Sequence, residues 1–125
     1  MRNRQLYASV AATSNGVTFF DIPSNTTIRA LNFAVTNTGM SAGDTLNLEI
    51  SLNSSGTHTT NDALGVIGVA SYGNSGAGSP ASVTTYNGST FLTVNCPVRA
   101  GERIYLNSLE VGSGTWAVRC LVWFD

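Results

Sequence analysis

Thr45-Leu46-Asn47-Leu48-Glu49-Ile50-Ser51-Leu52-Asn53 alternates without a break between polar and apolar residues. A period of two sends successive side chains to opposite faces of an extended chain, whereas a helix repeats about every 3.6 residues. Leu46, Leu48, Ile50 and Leu52 therefore share one face, and Thr45, Asn47, Glu49, Ser51 and Asn53 share the other. One apolar and one polar face predict an antiparallel strand with a core on one side and water on the other.

The same alternation spreads outward in both directions. It places Leu31, Phe33 and Val35 inward within Ile28 to Asn37, and Leu92, Val94 and Cys96 inward within Thr90 to Cys96. Ile104 and Leu106 face inward in Glu102 to Leu109. In Thr115 to Phe124 one face holds Trp116, Val118, Cys120, Val122 and Phe124, while the other carries Arg119 with Leu121 and Trp123. Leu6, Ala8, Val10 and Ala12 form one face of a first strand, with Met1 to Gln5 set ahead of it as a polar, flexible arm. Val17–Ile22, Leu64–Ser71 and Ser82–Tyr86 are weaker strand candidates. Asn15-Gly16, Gly43-Asp44, Asn87-Gly88 and Ala100-Gly101 mark turns, because Asn, Asp and Gly tolerate positive φ. Asn87-Gly88, flanked by strand-forming residues, reads as a two-residue hairpin. Ser71 to Ser82, rich in Gly and Ser, reads as a mobile loop.

Eight or nine short strands with no helix predict an all-β, antiparallel two-sheet β-sandwich, jelly-roll-like, in a single domain over residues 1–125. An immunoglobulin-like sandwich fits less well. Cys96 and Cys120 lie late in the chain and close in sequence, whereas that fold's cysteine pair brackets most of its domain. Both cysteines fall on inward faces and read as small buried hydrophobes, with a disulfide the alternative if their strands are neighbours.

Composition narrows the function. Six basic residues, all Arg, stand against seven acidic ones, a net charge of -1. That excludes the clustered positive field of general nucleic-acid binding. Charged residues are only 10% of the chain, and Ser, Thr, Asn and Gly dominate in their place. No apolar run reaches the roughly 20 residues of a membrane-spanning helix. Arg2 and Arg4 ahead of Leu6 to Ala12 imitate a signal peptide weakly, and none is expected because the apolar part is short and broken by Tyr7 and Ser9.

Chemistry-bearing residues do not converge. His58, the only histidine, lies in the polar stretch Ser54 to Asp62, which offers no rigid scaffold to orient a catalytic base. Asp21, Asp44, Glu49, Asp62, Glu102, Glu110 and Asp125 lie in no apolar run that would raise a carboxyl for acid catalysis. Two Cys and one distant His do not make a zinc site, and nothing specifies calcium. The expectation is a protein without enzymatic activity and without a cofactor. Tyr72, Tyr86, Tyr105 and Trp123 are candidate exposed aromatics for stacking on sugar rings, while Leu121 and Trp123 fit a protein interface better.

Pro97-Val98-Arg99-Ala100-Gly101-Glu102-Arg103-Ile104-Tyr105-Leu106, followed by a strand running from Trp116 to Asp125, resembles the closing strands of small jelly-roll virion proteins. Such proteins decorate or cement phage capsids, or form head fibres and tail parts. The resemblance covers about the final 35 residues and transfers no binding residue. It implies a structural protein of the virion, assembled in the host cytoplasm. Its copies would pack as trimers and seat on a major capsid protein, each contact weak and the ensemble strong through avidity. Arg2, Arg4 and Tyr7 are the candidates for clasping an acidic neighbour, and Tyr105, Leu121 and Trp123 for contacts between copies. The alternative is a carbohydrate-binding module or a lectin-like adhesin or tail-fibre domain.

Overall fold

A computed structural model describes residues 2–10, 15–41, 43–52, 65–73, 82–112 and 115–125. Eight strands run through them: β1 (Arg2–Val10), β2 (Asn15–Asp21), β3 (Thr26–Ser41), β4 (Thr45–Ser51), β5 (Val66–Gly73), β6 (Ser82–Val98), β7 (Arg103–Val111) and β8 (Trp116–Phe124). They form two four-stranded sheets: sheet I in the order β1-β8-β3-β6, and sheet II in the order β2-β7-β4-β5. Every pairing is antiparallel. The pairs β1·β8, β2·β7, β3·β6 and β4·β5 are nested, as if the chain doubled back on itself between β4 and β5. Rolling that ribbon brings β8 against β3 and β7 against β4. This is the eight-stranded jelly roll, an architecture shared by capsid and lectin domains.

The inward residues read from alternation close the core. Leu31, Phe33, Val35, Leu46, Leu48, Ile50, Ile104, Leu106, Trp116, Val118, Cys120 and Val122 are all buried between the sheets. Each such aliphatic side chain contributes about 1.5–3 kcal/mol of burial free energy. The β6–β7 turn is held from both ends. Glu102 N–H donates to the Arg99 carbonyl at 3.1 Å, and Arg99 N–H donates to Glu102 Oε1 at 2.6 Å. Gly101 supplies the positive φ of 88° that the reversal needs. Ala100 N–H donates to Asn25 Oδ1 at 2.9 Å, and Gly101 N–H to the Ile22 carbonyl at 2.8 Å, which fastens this turn to the β2–β3 corner.

Four expectations are corrected. Asn87-Gly88 is not a hairpin. Both residues lie inside the 17-residue β6, opposite Thr36 and Val35 of β3. Glycine is required there for space, because a Cβ at Gly88 would stand 2.5 Å from Tyr72 Cδ1 and 3.2 Å from Val35 Cγ2. Tyr72, taken from sequence as a surface aromatic, is buried against that glycine, and its hydroxyl donates to Thr90 Oγ1 at 2.6 Å. The polar face of β4 is only partly wet. Glu49 and Ser51 are buried together with Asn107, whose Nδ2 donates to Ser51 Oγ at 3.3 Å, and mutual hydrogen bonding is what permits polar groups to be buried. Finally, β1 begins at Arg2, so Arg2 to Gln5 are strand residues paired with Phe124 to Leu121 rather than a segment ahead of the strand. His58, Asp62 and most of the Ser71 to Ser82 stretch lie outside the described residues.

Candidate interaction site on the outer face of sheet I

Residues directly opposite one another in an antiparallel pair point to the same side. The register therefore fixes the outer face of sheet I as rows across β1, β8, β3 and β6. One row is Asn3, Trp123, Ala30 and Thr93, and the next is Gln5, Leu121, Asn32 and Phe91. A third holds Tyr7, Arg119, Ala34 and Ser89. Phe91 is 62% exposed, large for an aromatic ring on a strand, and Tyr7 is 55% exposed. Trp123 and Leu121 are half-buried beside them. Ala30, buried opposite Trp123, leaves a depression. The result is a shallow trough of about 610 Å³ between Trp123 and Phe91, floored by Ala30, Thr93 and Val94 and closed at one end by Arg29 and Asn95.

A bulge shapes that closed end. Between the pairs Ile28↔Cys96 and Ala30↔Thr93, β3 uses one residue, Arg29, where β6 uses two, Val94 and Asn95. An extra residue bends its strand and re-aims side chains. Arg29 Nε and Nη2 both donate to Asp125 Oδ2, at 2.9 and 2.6 Å, and Nη1 donates to Asn95 Oδ1 at 2.8 Å. Arg29 thereby holds the Asp125 carboxyl below the usual carboxylate range. All three groups are solvent-exposed or half-exposed, so water screens the pair, and it orders the rim more than it stabilises the fold. The indole N–H of Trp123 is shielded from solvent and lacks a hydrogen-bond partner.

The six residues singled out from sequence fall in three places. Tyr7, Leu121 and Trp123 share the outer face of sheet I. Tyr105 lies on sheet II, where it meets Phe19 at a ring-centroid distance of 5.8 Å, and Arg103 caps that ring at 4.0 Å while donating to Asp21. Arg2 and Arg4 lie at the open edge between the sheets. Phe91 and Arg29 were not singled out. The alternation did set Phe91 opposite to Leu92 and Val94, so its exposure had a signal; the role of Arg29 depends on a bulge that no local pattern announces.

The cysteines are both free, and their register keeps them apart. Cys96 pairs with Ile28 on one side of β3 and Cys120 with Phe33 on the other. Two strand spacings alone separate them by about 9 Å, beyond the roughly 7 Å Cα limit for a bridge. Burial pushes the Cys120 thiol up to about 12, and raises that of Cys96 as well. Asp44 just before β4, Glu49 on β4 and Glu110 on β7 are all buried. No three His, Cys, Asp or Glu side chains gather into a metal-binding group among the described residues.

No protein-family model matches this chain. No curated protein matches it either. Similar solved structures include broad bean stain virus, at 7% identity and a TM-score of 0.48 over 100% of this chain and 88% of that one. A carbohydrate-binding module of Cellvibrio mixtus lichenase 5A, in complex with cellotriose, has 13% identity and a TM-score of 0.42 over 94% and 85% of the two chains. Infectious bursal disease virus, Gx strain, has 11% identity and a TM-score of 0.38 over 99% of this chain and 32% of that one. The strand order by itself defines the class, an eight-stranded jelly-roll β-sandwich.

Proposed function

We propose that this chain is a non-enzymatic structural protein of a virion, a capsid decoration or cement protein whose copies associate through the outer face of sheet I. The observation that carries the reading is the trough between Trp123 and Phe91 with Leu121 alongside. Exposed apolar surface on a sheet face marks an interaction site, and a second apolar surface is what best covers it. Its polar rim is already engaged within the chain, since Arg29 is bonded to Asp125 and Asn95.

The assembly is a trimer in this reading, closed so that each copy offers one patch and covers another. It seats on a major capsid protein within the particle, assembled in the host cytoplasm. Many repeated contacts make up for the modest size of each. A second reading, sugar stacking on Phe91 and Trp123, draws on the two aromatic rings that bracket the trough.

Analytical ultracentrifugation of the wild-type chain and of Phe91→Asp separates the two. A wild-type trimer, a monomeric variant with an unchanged β-sheet circular dichroism spectrum and a blank glycan array are the expected results. A monomeric wild type that binds a glycan and loses it on Trp123→Ala would overturn the structural reading.

A further inference from the structure

The edge of the sandwich at β1 holds a second feature, which the outer-face trough leaves unused. Arg2 and Arg4 are two residues apart on β1, so they share a side, and it is the inward one: their register partners are Phe124 and Val122, both in the core. Leu6, next in that row, is buried. The two arginines instead project into a crevice of about 140 Å³ walled by Phe20, Phe124, Ser24 and Thr26. Phe20 and Phe124 meet edge to face at 5.8 Å. The Arg4 guanidinium lies 4.9 Å from the centre of the Phe20 ring, a cation–π contact. Neither arginine has a carboxylate partner among the described residues.

We infer that this crevice takes the carboxylate of a glutamate or aspartate side chain presented by a different protein. The inference deepens the decoration reading by naming what the partner offers, and it rests on that reading only for the partner's identity. Two guanidiniums on one side of a strand, their Cα atoms about 6.7 Å apart, bracket a single anionic group in charge-assisted, bidentate geometry. The volume is close to the roughly 150 Å³ that holds one benzene ring, ample for a side-chain carboxylate. The edges of Phe20 and Phe124 give the methylene groups of such a side chain an apolar wall, which a bare inorganic anion does not use. Asp21, Glu102 and Asp125 already accept hydrogen bonds from Arg103, the Arg99 N–H and Arg29, and Asp44, Glu49 and Glu110 are buried. An exposed carboxylate of a second copy would have to be shared with the arginine or N–H it already serves, which favours a different protein as the source.

The test is an NMR titration of the isotope-labelled wild-type chain, following the arginine Nε–H signals. The probes are acetyl-glycyl-glutamyl-glycine amide, its glutaminyl counterpart and inorganic phosphate. Saturable shifts at Arg2 and Arg4 with the glutamyl peptide alone are expected. Arg4→Gln should weaken that binding about tenfold or more, since hydrogen bonds to charged groups carry most of it. Arg4→Lys, which keeps the charge and loses the fork, should fall between. Equal response to the glutaminyl peptide, tighter saturable binding of phosphate, or no response at all each overturns the inference. A trimer without these shifts sinks this site and spares the assembly; a monomer that shows them does the reverse.

Discussion

Replacing Gly88 by Ala is the sharpest test of how this core is packed. Were Asn87-Gly88 a hairpin, alanine there would be costly because the turn needs positive φ. In the structure the residue is an ordinary position of β6, and the cost arises from Tyr72, whose Cδ1 and Cε1 would stand 2.5 and 2.8 Å from the new methyl group. Tyr72 is buried and tied to Thr90 Oγ1, so it cannot swing aside without losing that bond. Overpacking of this kind costs about 1–3 kcal/mol, and the entropy gained on leaving glycine returns about 0.5–1 kcal/mol. The expected net loss is about 1–2 kcal/mol, or about 3–10 °C in Tm for a chain of this length. Urea unfolding at one fixed protein concentration measures it, alone and in the Tyr72→Leu background. Removing the ring should relieve the clash, giving a coupling energy of about 1 kcal/mol or more. If Gly88→Ala costs the same in both backgrounds, or stabilises the wild type, the packing argument is wrong.

Two further outcomes are expected. Cys120 should stay unmodified by a thiolate-selective reagent at pH 8 until the protein unfolds, because burial holds its thiol near 12; Cys96 should react slowly; and a reductant should leave the unfolding midpoint unchanged, since the register forbids a bridge. Asp125 titrates below its unfolded value because Arg29 bonds its charged form, so the pair's contribution is complete above the ordinary carboxylate range and fades as pH falls through the depressed value. A carboxyl-carbon NMR titration should show the lowered midpoint and its return to the ordinary range in Arg29→Gln. An unshifted wild-type midpoint would refute the pairing.

How much of this was readable in the residues follows from what a pattern can encode. Alternation in Thr45 to Ser51, Leu31 to Val35 and Trp116 to Phe124 specified strands and their buried sides, because side-chain direction in a strand is a local property of the backbone. It also set Leu121, Trp123 and Phe91 outward. It could not say which sheet a strand joins, so Tyr105 and Trp123, both outward, were grouped from sequence although they lie on different sheets.

Local chemistry determined that this chain is an all-β sandwich with little charge and a row of inward apolar side chains, since propensity and period act within a few residues. Tertiary structure alone decided the rest: that Gly88 makes room for Tyr72, that Glu49 and Ser51 are buried with Asn107, and that Arg29 reaches Asp125 from 96 positions away. The same holds for Arg2 and Arg4, brought beside Phe20 and Phe124 only when the two ends of the ribbon are rolled together. These are meetings of residues far apart in the chain, set by strand order and register, and no short stretch of sequence contains both partners.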